Sequence, residues 1–279
     1  MVLEQIYKSG LIRNKPCILF FLSIVYTIIG LGISVMFFPN NPTLVSVTLT
    51  TIMLLPLFSK LSHYIEVEED KPIKHSHLPK ILGSFSAAYL YTFAGIFLTN
   101  IAFAIMLPNM AVDKLFEAQL NVLRGYATFS APLFTTIMSN NLIILGAIIF
   151  LSIIAGNGAI LLIAWNASLW GSAFGVISEH ASIAMGQNLL IILGIVLLCV
   201  LPHLLIEIFG YILGTMGSML MSETTLREKW WSKNFKRAML VNLVILVIAV
   251  LVIVIGALVE TTVLVNIEPY AVIRAAAQL

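Results

Sequence analysis

The segment Leu-Pro-His-Leu-Leu-Ile-Glu, residues 201–207, contains the residues whose types and spacing could do chemistry. Glu207 is the only Asp, Glu, Lys or Arg between Glu179 and Glu223. A carboxylate deep in a bilayer is costly, so it must be protonated, paired or exposed to a watery cavity. His203 precedes it by four residues and therefore shares its helix face. The pair predicts either a proton, ion or substrate site or a polar clamp between helices.

Asn166 is predicted to complete a polar cluster with His203 and Glu207. Small residues at helical spacing follow both parts of this cluster and predict close helix packing. They are Gly171 and Gly175 after Asn166, and Gly210, Gly214 and Gly217 after Glu207. Docking one row of glycines on the other would bring the amide of Asn166 within reach of His203 and Glu207.

No residue set typical of an enzyme accompanies this cluster. A catalytic zinc ion needs three protein ligands, and the sequence has neither an HExxH nor a Gly-x-Ser-x-Gly motif. Asp70 and Asp113 fall in predicted loops, which argues against an intramembrane aspartyl protease. We therefore predict no catalytic residue, no metal site and no cofactor. An intramembrane hydrolase would need a nucleophile or a third metal ligand near His203, and the sequence offers none.

The elements that position these residues are predicted to be membrane helices. Of 279 residues, 60% are apolar and 10% are charged, against the ~25% charged residues of a soluble domain. Five windows without charge each exceed the ~20 residues that cross a bilayer as a helix. Their apolar residues are continuous rather than alternating, which excludes an outer-membrane barrel. The fold class is therefore all-α, a polytopic helical bundle in contact with lipid.

Four simple spans are predicted, at residues 17–38, 43–59, 81–107 and 238–259. Two longer apolar stretches are predicted to be interrupted. Gly156 and Gly158 break the stretch 141–178, and Pro202 breaks the stretch 188–222. The first could be two spans or a hairpin. The second either kinks at Pro202 or has a separate first half that re-enters the membrane or lies at its interface. Asn140 and Asn141, at the start of the first stretch, are expected to be helix caps.

The preferred topology has seven crossings, with the amino terminus in the cytoplasm and the carboxyl terminus outside. Of the 15 Lys and Arg residues, only Lys114, Arg124 and Arg274 then lie outside, in agreement with the positive-inside rule. Six crossings remain an alternative that would reverse the carboxyl side. The net charge of +2, with no separate basic face or arm, argues against a nucleic-acid partner.

Three units are predicted along the chain. Residues 1–80 form a transmembrane hairpin with a charged cytoplasmic connector, residues 81–138 a third span with an extracytoplasmic segment, and residues 139–279 the core bundle. Helical spacing of apolar residues in the second unit predicts a short amphipathic helix on the membrane surface. These residues are Val112, Leu115, Phe116, Leu120 and Leu123.

With these motifs the chain resembles the stage II sporulation protein M family, particularly the archaeal-type members with an added amino-terminal helical hairpin. The core resemblance covers roughly residues 139–260, and a weaker one extends over the first 138. The motifs that carry it are Asn140-Asn141, the Gly156/Gly158 break, Asn166 with Gly171 and Gly175, and Pro202-His203 with Glu207. Leu204 departs from the family pattern, which commonly has glycine after the histidine.

The resemblance implies an integral membrane protein without established enzyme activity of its own. The namesake of the family is similar to a scaffold that holds cell-wall hydrolases at the septal membrane. We therefore expect a scaffold or assembly subunit with protein partners in a membrane complex, and homo-oligomer formation is left open. The alternative is a small transporter or channel-like protein whose mid-membrane site is Asn166, His203 and Glu207.

Overall fold

The computed structural model describes residues 15–68, 78–120 and 133–277, and each regular element named in these ranges is a helix. This confirms the predicted all-α class. Between α5 and α6 lies a short 3-10 turn, Gly156–Ala159. The helices are α1 (Cys17–Phe37), α2 (Pro42–Glu68), α3 (Leu78–Met106), α4 (Asn109–Leu115), α5 (Leu133–Ala155), α6 (Ile160–Met185), α7 (Leu189–Arg227), α8 (Lys233–Asn266) and α9 (Glu268–Ala277).

Six segments of the described chain are long and apolar enough to cross a membrane. They are Cys17–Phe37, Pro42–Leu61, Gly83–Met106, Leu133–Met185, Leu189–Leu226 and Lys233–Val263. The predicted multi-pass membrane protein is thereby confirmed. The segment Leu133–Met185 contains both α5 and α6, and the predicted seven crossings count those two helices separately.

The turn between α5 and α6 lies where the sequence has Gly156-Asn157-Gly158. Gly156 has a φ of 55°, in the left-handed region that glycine adopts without a steric penalty. α5 and α6 hardly touch each other beyond the turn, and each packs on different helices. The break therefore separates two groups of helices within the bundle.

Pro202 does not end a helix. α7 runs without interruption from Leu189 to Arg227, with Pro202 inside it. The predicted alternative of a separate, re-entrant first half is therefore wrong. Proline removes one backbone hydrogen bond, but neighbouring groups often satisfy the freed carbonyl in membrane helices. The helix begins with a cap, because the side chain of Asn188 accepts a hydrogen bond of 2.9 Å from the backbone N–H of Leu190.

Two groups of helices make up the bundle. α1, α2, α3 and α6 pack together, with α6 lying along α3. α5, α7 and α8 form the second group, in which α7 and α8 share the most extensive contact. α6 also contacts α7 and the terminal helix α9, so it links the two groups.

The amphipathic segment after α3 packs on the bundle. Val112, Leu115 and Phe116 are buried in a cluster with Leu31 of α1 and Val176 of α6. The hydroxyl of Thr43 in α2 also donates a hydrogen bond to the backbone carbonyl of Leu115. A short helix, Asn109–Leu115, is therefore present where one was predicted, and its apolar residues pack on the bundle. Its position at the membrane surface stays a prediction. Leu123, which the prediction also included, lies outside the described residues.

Candidate functional site

Glu207 lies inside the bundle, 2% exposed, on α7. Its Oε1 accepts a hydrogen bond of 2.5 Å from Nδ2 of Asn141 on α5. The hydroxyl of Tyr211, one turn further along α7, donates to Oδ1 of the same asparagine at 3.2 Å. Asn141 therefore uses both ends of its amide to join α5 to α7.

A second buried carboxyl group comes from α8. Glu260 is 9% exposed and hydrogen-bonds to the carboxyl group of Glu207. Two ionised carboxylates have only acceptor oxygens, so this bond requires one proton held between them. Asn141, Glu207, Tyr211 and Glu260 together form a unit that we call the carboxyl cluster. It joins α5, α7 and α8.

Gly256 lets α8 approach this site closely. It lies one helical turn before Glu260, and a Cβ at this position would lie 2.8 Å from Cγ of Glu207. Only a residue without a side chain leaves that space to the glutamate. The backbone of α8 therefore covers the side chain of Glu207 and leaves the carboxyl group facing its partners.

The terminal helix α9 lies beside the α8 end of this site. Tyr270 is buried, and the guanidinium of Arg274 stands over its ring at 5.6 Å from the centroid. Burial raises the pKa of the Tyr270 hydroxyl to about 12, an effect that Arg274 opposes and that the nearby Glu260 and Cys199 reinforce. Tyr270 therefore remains a neutral phenol at physiological pH.

In the structure, Glu207 has a hydrogen-bond partner that the predicted polar cluster did not contain, Asn141. Nδ2 of Asn166 donates to the backbone carbonyl of Leu162, one turn earlier in its own helix, at 2.8 Å. His203 is buried, and its Nδ1 has no hydrogen-bond partner among the described residues. A contact of Asn166 or His203 with Glu207 stays a prediction.

The predicted docking of the two glycine rows on each other is wrong. A Cβ at Gly171 would lie 2.5 Å from the backbone oxygen of Phe97, and one at Gly175 would lie 2.6 Å from Cβ of Ala104, both on α3. The row on α7 instead faces other helices. Gly210 and Gly217 lie against Ile253 and Leu246 of α8, and Gly214 lies against Leu145 of α5.

Asn141 is the partner that sequence reasoning missed. It was expected to cap a helix, but α5 begins at Leu133, so Asn140 and Asn141 lie inside that helix. Glu260 was missed because the predicted last span stopped at residue 259, whereas α8 continues to Asn266. The resumption of apolar residues after Glu260, at 263–265, is the signal that could have extended the span.

Metal ligands are not gathered at this site. Among the described residues, no group of three or more His, Cys, Asp or Glu could hold a metal ion. The contacts within the carboxyl cluster are hydrogen bonds.

The family model for Stage II sporulation protein M matches residues 81–263 of the chain. The chain belongs to the stage II sporulation protein M family. Comparison with the curated proteins and with the solved structures returns no match.

The matched range begins in α3, earlier than the predicted core at residue 139, and it contains the whole carboxyl cluster. The hairpin of α1 and α2 lies outside it. The carboxyl cluster is therefore part of the region that resembles the family, while the hairpin packs on that region from outside the match.

Proposed function

We propose that the protein is a non-enzymatic scaffold or assembly subunit of a membrane complex. The observation that carries this proposal is the mutual pairing of polar groups in the carboxyl cluster. A transport site must release its ligand and so needs polar groups that are open to exchange. Asn141 and the two glutamates instead bond one another across three helices, which favours a role in fixing the shape of the bundle.

The lengths of the connecting segments support the same proposal. The chain between Leu61 and Gly83, and between Met106 and Leu133, is shorter than the ~50 residues of a small domain. These connectors can contact a partner but are too short to fold as catalytic domains. An enzymatic step in the complex would therefore take place within the membrane or in a partner protein.

Co-purification tests this proposal. The full chain is extracted from its native membrane in mild detergent, and bound proteins are identified and quantified. We expect a defined partner to be recovered with the wild type and with Glu207→Gln, whose amide can still accept from Asn141 and donate to Glu260. The same partner should be lost with Glu207→Ala. Equal recovery with all three chains would contradict the role given to the carboxyl cluster, and recovery of no partner would contradict the proposal itself.

A proton-linked transporter is the second candidate, and the proton shared by Glu207 and Glu260 favours it. A carboxyl group inside a membrane bundle that binds a proton is a common element of proton relays. Purified protein in vesicles with an internal pH dye should then show a proton flux that the double variant Glu207→Gln/Glu260→Gln abolishes. Identical flux in protein vesicles and in empty vesicles, over a broad panel of substrates, would exclude this candidate.

We also propose that the amino terminus faces the cytoplasm and the carboxyl terminus the outside. The distribution of Lys and Arg supports this orientation. A reporter enzyme that is active only outside the cytoplasm, fused after Leu279, should then be active. An inactive but fully expressed fusion would reverse the carboxyl side and favour six crossings.

A further inference from the structure

A small cavity lies where α1, α2, α3 and α6 meet, apart from the carboxyl cluster. Its volume is about 10 Å³, close to the ~10–15 Å³ that one water molecule needs on the same measure. Oxygen-bearing side chains from all four helices line it. They are Thr27 of α1, Ser46 and Thr50 of α2, Asn100 of α3 and Ser168 of α6.

Thr27 has a buried hydroxyl group that faces this cavity without a protein partner. The residue is 3% exposed, and its Oγ1 makes no hydrogen bond within the described part of the chain. An unsatisfied hydroxyl in an apolar interior is costly, and more so within a membrane. The hydroxyl of Thr27 therefore requires an acceptor, and the cavity is where that acceptor can lie.

The other hydroxyl groups of the lining have already used their hydrogens. Ser46 donates to the backbone carbonyl of Thr43 at 2.8 Å, and Thr50 donates to the carbonyl of Ser46 at 2.8 Å. Ser168 donates to Oδ1 of Asn100 at 3.1 Å. Since each hydroxyl carries one hydrogen and two lone pairs, these groups can offer only lone pairs to a ligand.

The ligand must therefore accept a hydrogen bond from Thr27 and can donate others to the surrounding oxygens. A water molecule satisfies this pattern with about three hydrogen bonds, the usual number for a buried water. A metal cation could not accept from Thr27, and the lining contains no carboxylate that would neutralise its charge. We propose that the cavity is a binding site for one internal water molecule, held between Thr27 and the oxygens of α2, α3 and α6.

The proposed water site lies between the amino-terminal hairpin and the part of the chain that matches the family. Thr27, Ser46 and Thr50 belong to the hairpin outside the matched family range, whereas Asn100 and Ser168 lie inside it. A water molecule bonded to both sets would join the hairpin to the family core. Gln119, in the segment after α4, extends the junction because its Nε2 donates to Oγ of Ser168 at 2.9 Å.

Whether Thr27→Val lowers or raises the melting temperature tests the proposal. Thr27→Val has nearly the same shape but removes the hydroxyl, so a bound water would lose a partner and the melting temperature of the full chain in lipid would fall. If the cavity held no water, the same change would remove an unsatisfied hydroxyl and raise the melting temperature. Thr27→Ser, which keeps the hydroxyl, should remain closer to the wild type than the valine variant.

Thr92 provides a matched control on α3. It is fully buried, its Oγ1 also has no partner among the described residues, and it is not part of the cavity lining. Thr92→Val should therefore leave the melting temperature unchanged or raise it. A rise with Thr27→Val equal to that with Thr92→Val would overturn the proposal.

A structure of the full chain in lipid nanodiscs, at a resolution that shows ordered water, provides the direct test. We expect one density peak within hydrogen-bond distance of Thr27 Oγ1 and of at least two other lining oxygens. The peak should be present with and without sodium and absent in Thr27→Val. A cavity without density, or a peak that appears only with sodium and has the shorter distances of an ion, would overturn the proposal.

Discussion

One shared proton allows the carboxyl groups of Glu207 and Glu260 to lie side by side and form a hydrogen bond. Without that proton, two negative charges would be buried side by side, and the bond between the carboxyl groups could not form. With it, one carboxyl donates, the other accepts, and Asn141 supplies a further donor. The interaction therefore depends on hydrogen-bond complementarity and needs only one of the two groups to be charged.

Substitutions at Glu207 should separate the effect of its charge from the effect of its hydrogen bonds. Glu207→Gln can still accept from Asn141 and donate to Glu260, so we expect a small change in the free energy of unfolding. Glu207→Ala leaves the other buried polar groups without a partner, and we expect a loss of about 3 kcal/mol. Reversible unfolding in mixed micelles measures both. Equal losses in the two variants would contradict the pairing.

The shared proton should be visible in the infrared spectrum of the wild-type protein. At neutral pH, we expect the carbonyl stretch of a protonated carboxyl group in an apolar environment. The double variant Glu207→Gln/Glu260→Gln should lack this band. Glu179→Gln, at a partly exposed residue near the end of α6, should retain it. A wild-type spectrum without a protonated carboxyl band would contradict the account of this site.

Sequence reasoning could identify Glu207 and could not identify its partners. An acidic residue in a long apolar run is conspicuous because burial of its charge is expensive. Asn141 has no such signal, since asparagine occurs both at helix caps and inside membrane helices. Its role depends on α5 packing against α7, which is a tertiary contact between residues far apart in sequence.

At the level of helices, close packing of α6 on α3 depends on Gly171. A Cβ at this position would meet the backbone of α3, which cannot move aside as a flexible side chain can. Gly171→Ala should lower the free energy of unfolding by about 1–3 kcal/mol, the usual effect of overpacking. Thermal unfolding in lipid measures it.

Gly146 of α5 gives the matched control, because a Cβ there would meet nothing within 4 Å. Gly146→Ala should stabilise the chain by up to about 1 kcal/mol, since alanine favours the helix. A destabilisation by Gly146→Ala as large as that by Gly171→Ala would show that the contact with α3 does not explain the effect.

The docking of α9 should depend on pH through Tyr270. In the folded protein its pKa is raised from 10.0 to about 12, so the unfolded chain loses the phenol proton at lower pH than the folded chain. Linkage then predicts full stability below pH 10 and a loss between pH 10 and 12. Tyr270→Phe should lose less stability over this interval. Identical pH profiles of the two chains would contradict buried docking of α9.

The spans could be predicted from composition, whereas their ends and partners could not. Runs of apolar residues fix which segments enter the bilayer, and the predicted 17–38 closely matches α1, Cys17–Phe37. The partner of the amphipathic residues after α3 could not be predicted, because lipid and a protein surface satisfy an apolar face equally well. Only the tertiary structure shows that Phe116 is buried by the bundle.

In the whole molecule, the two groups of helices are held together by different polar contacts. α5, α7 and α8 are joined by the carboxyl cluster, and α1, α2, α3 and α6 meet around the hydroxyl-lined cavity. α6 contacts both groups and the terminal helix α9. The polar side chains of the cluster and of the cavity are thus directed inward, which suits a subunit that presents a defined shape to partners in the membrane.

The mass of the particle released from the native membrane tests whether the protein is an assembly subunit. Native mass spectrometry should detect the 30.6 kDa chain bound to at least one different polypeptide. Glu207→Gln should preserve this particle, and Glu207→Ala should reduce it. A wild-type particle that contains only this chain, in one copy or several, would contradict the proposal that the protein is an assembly subunit.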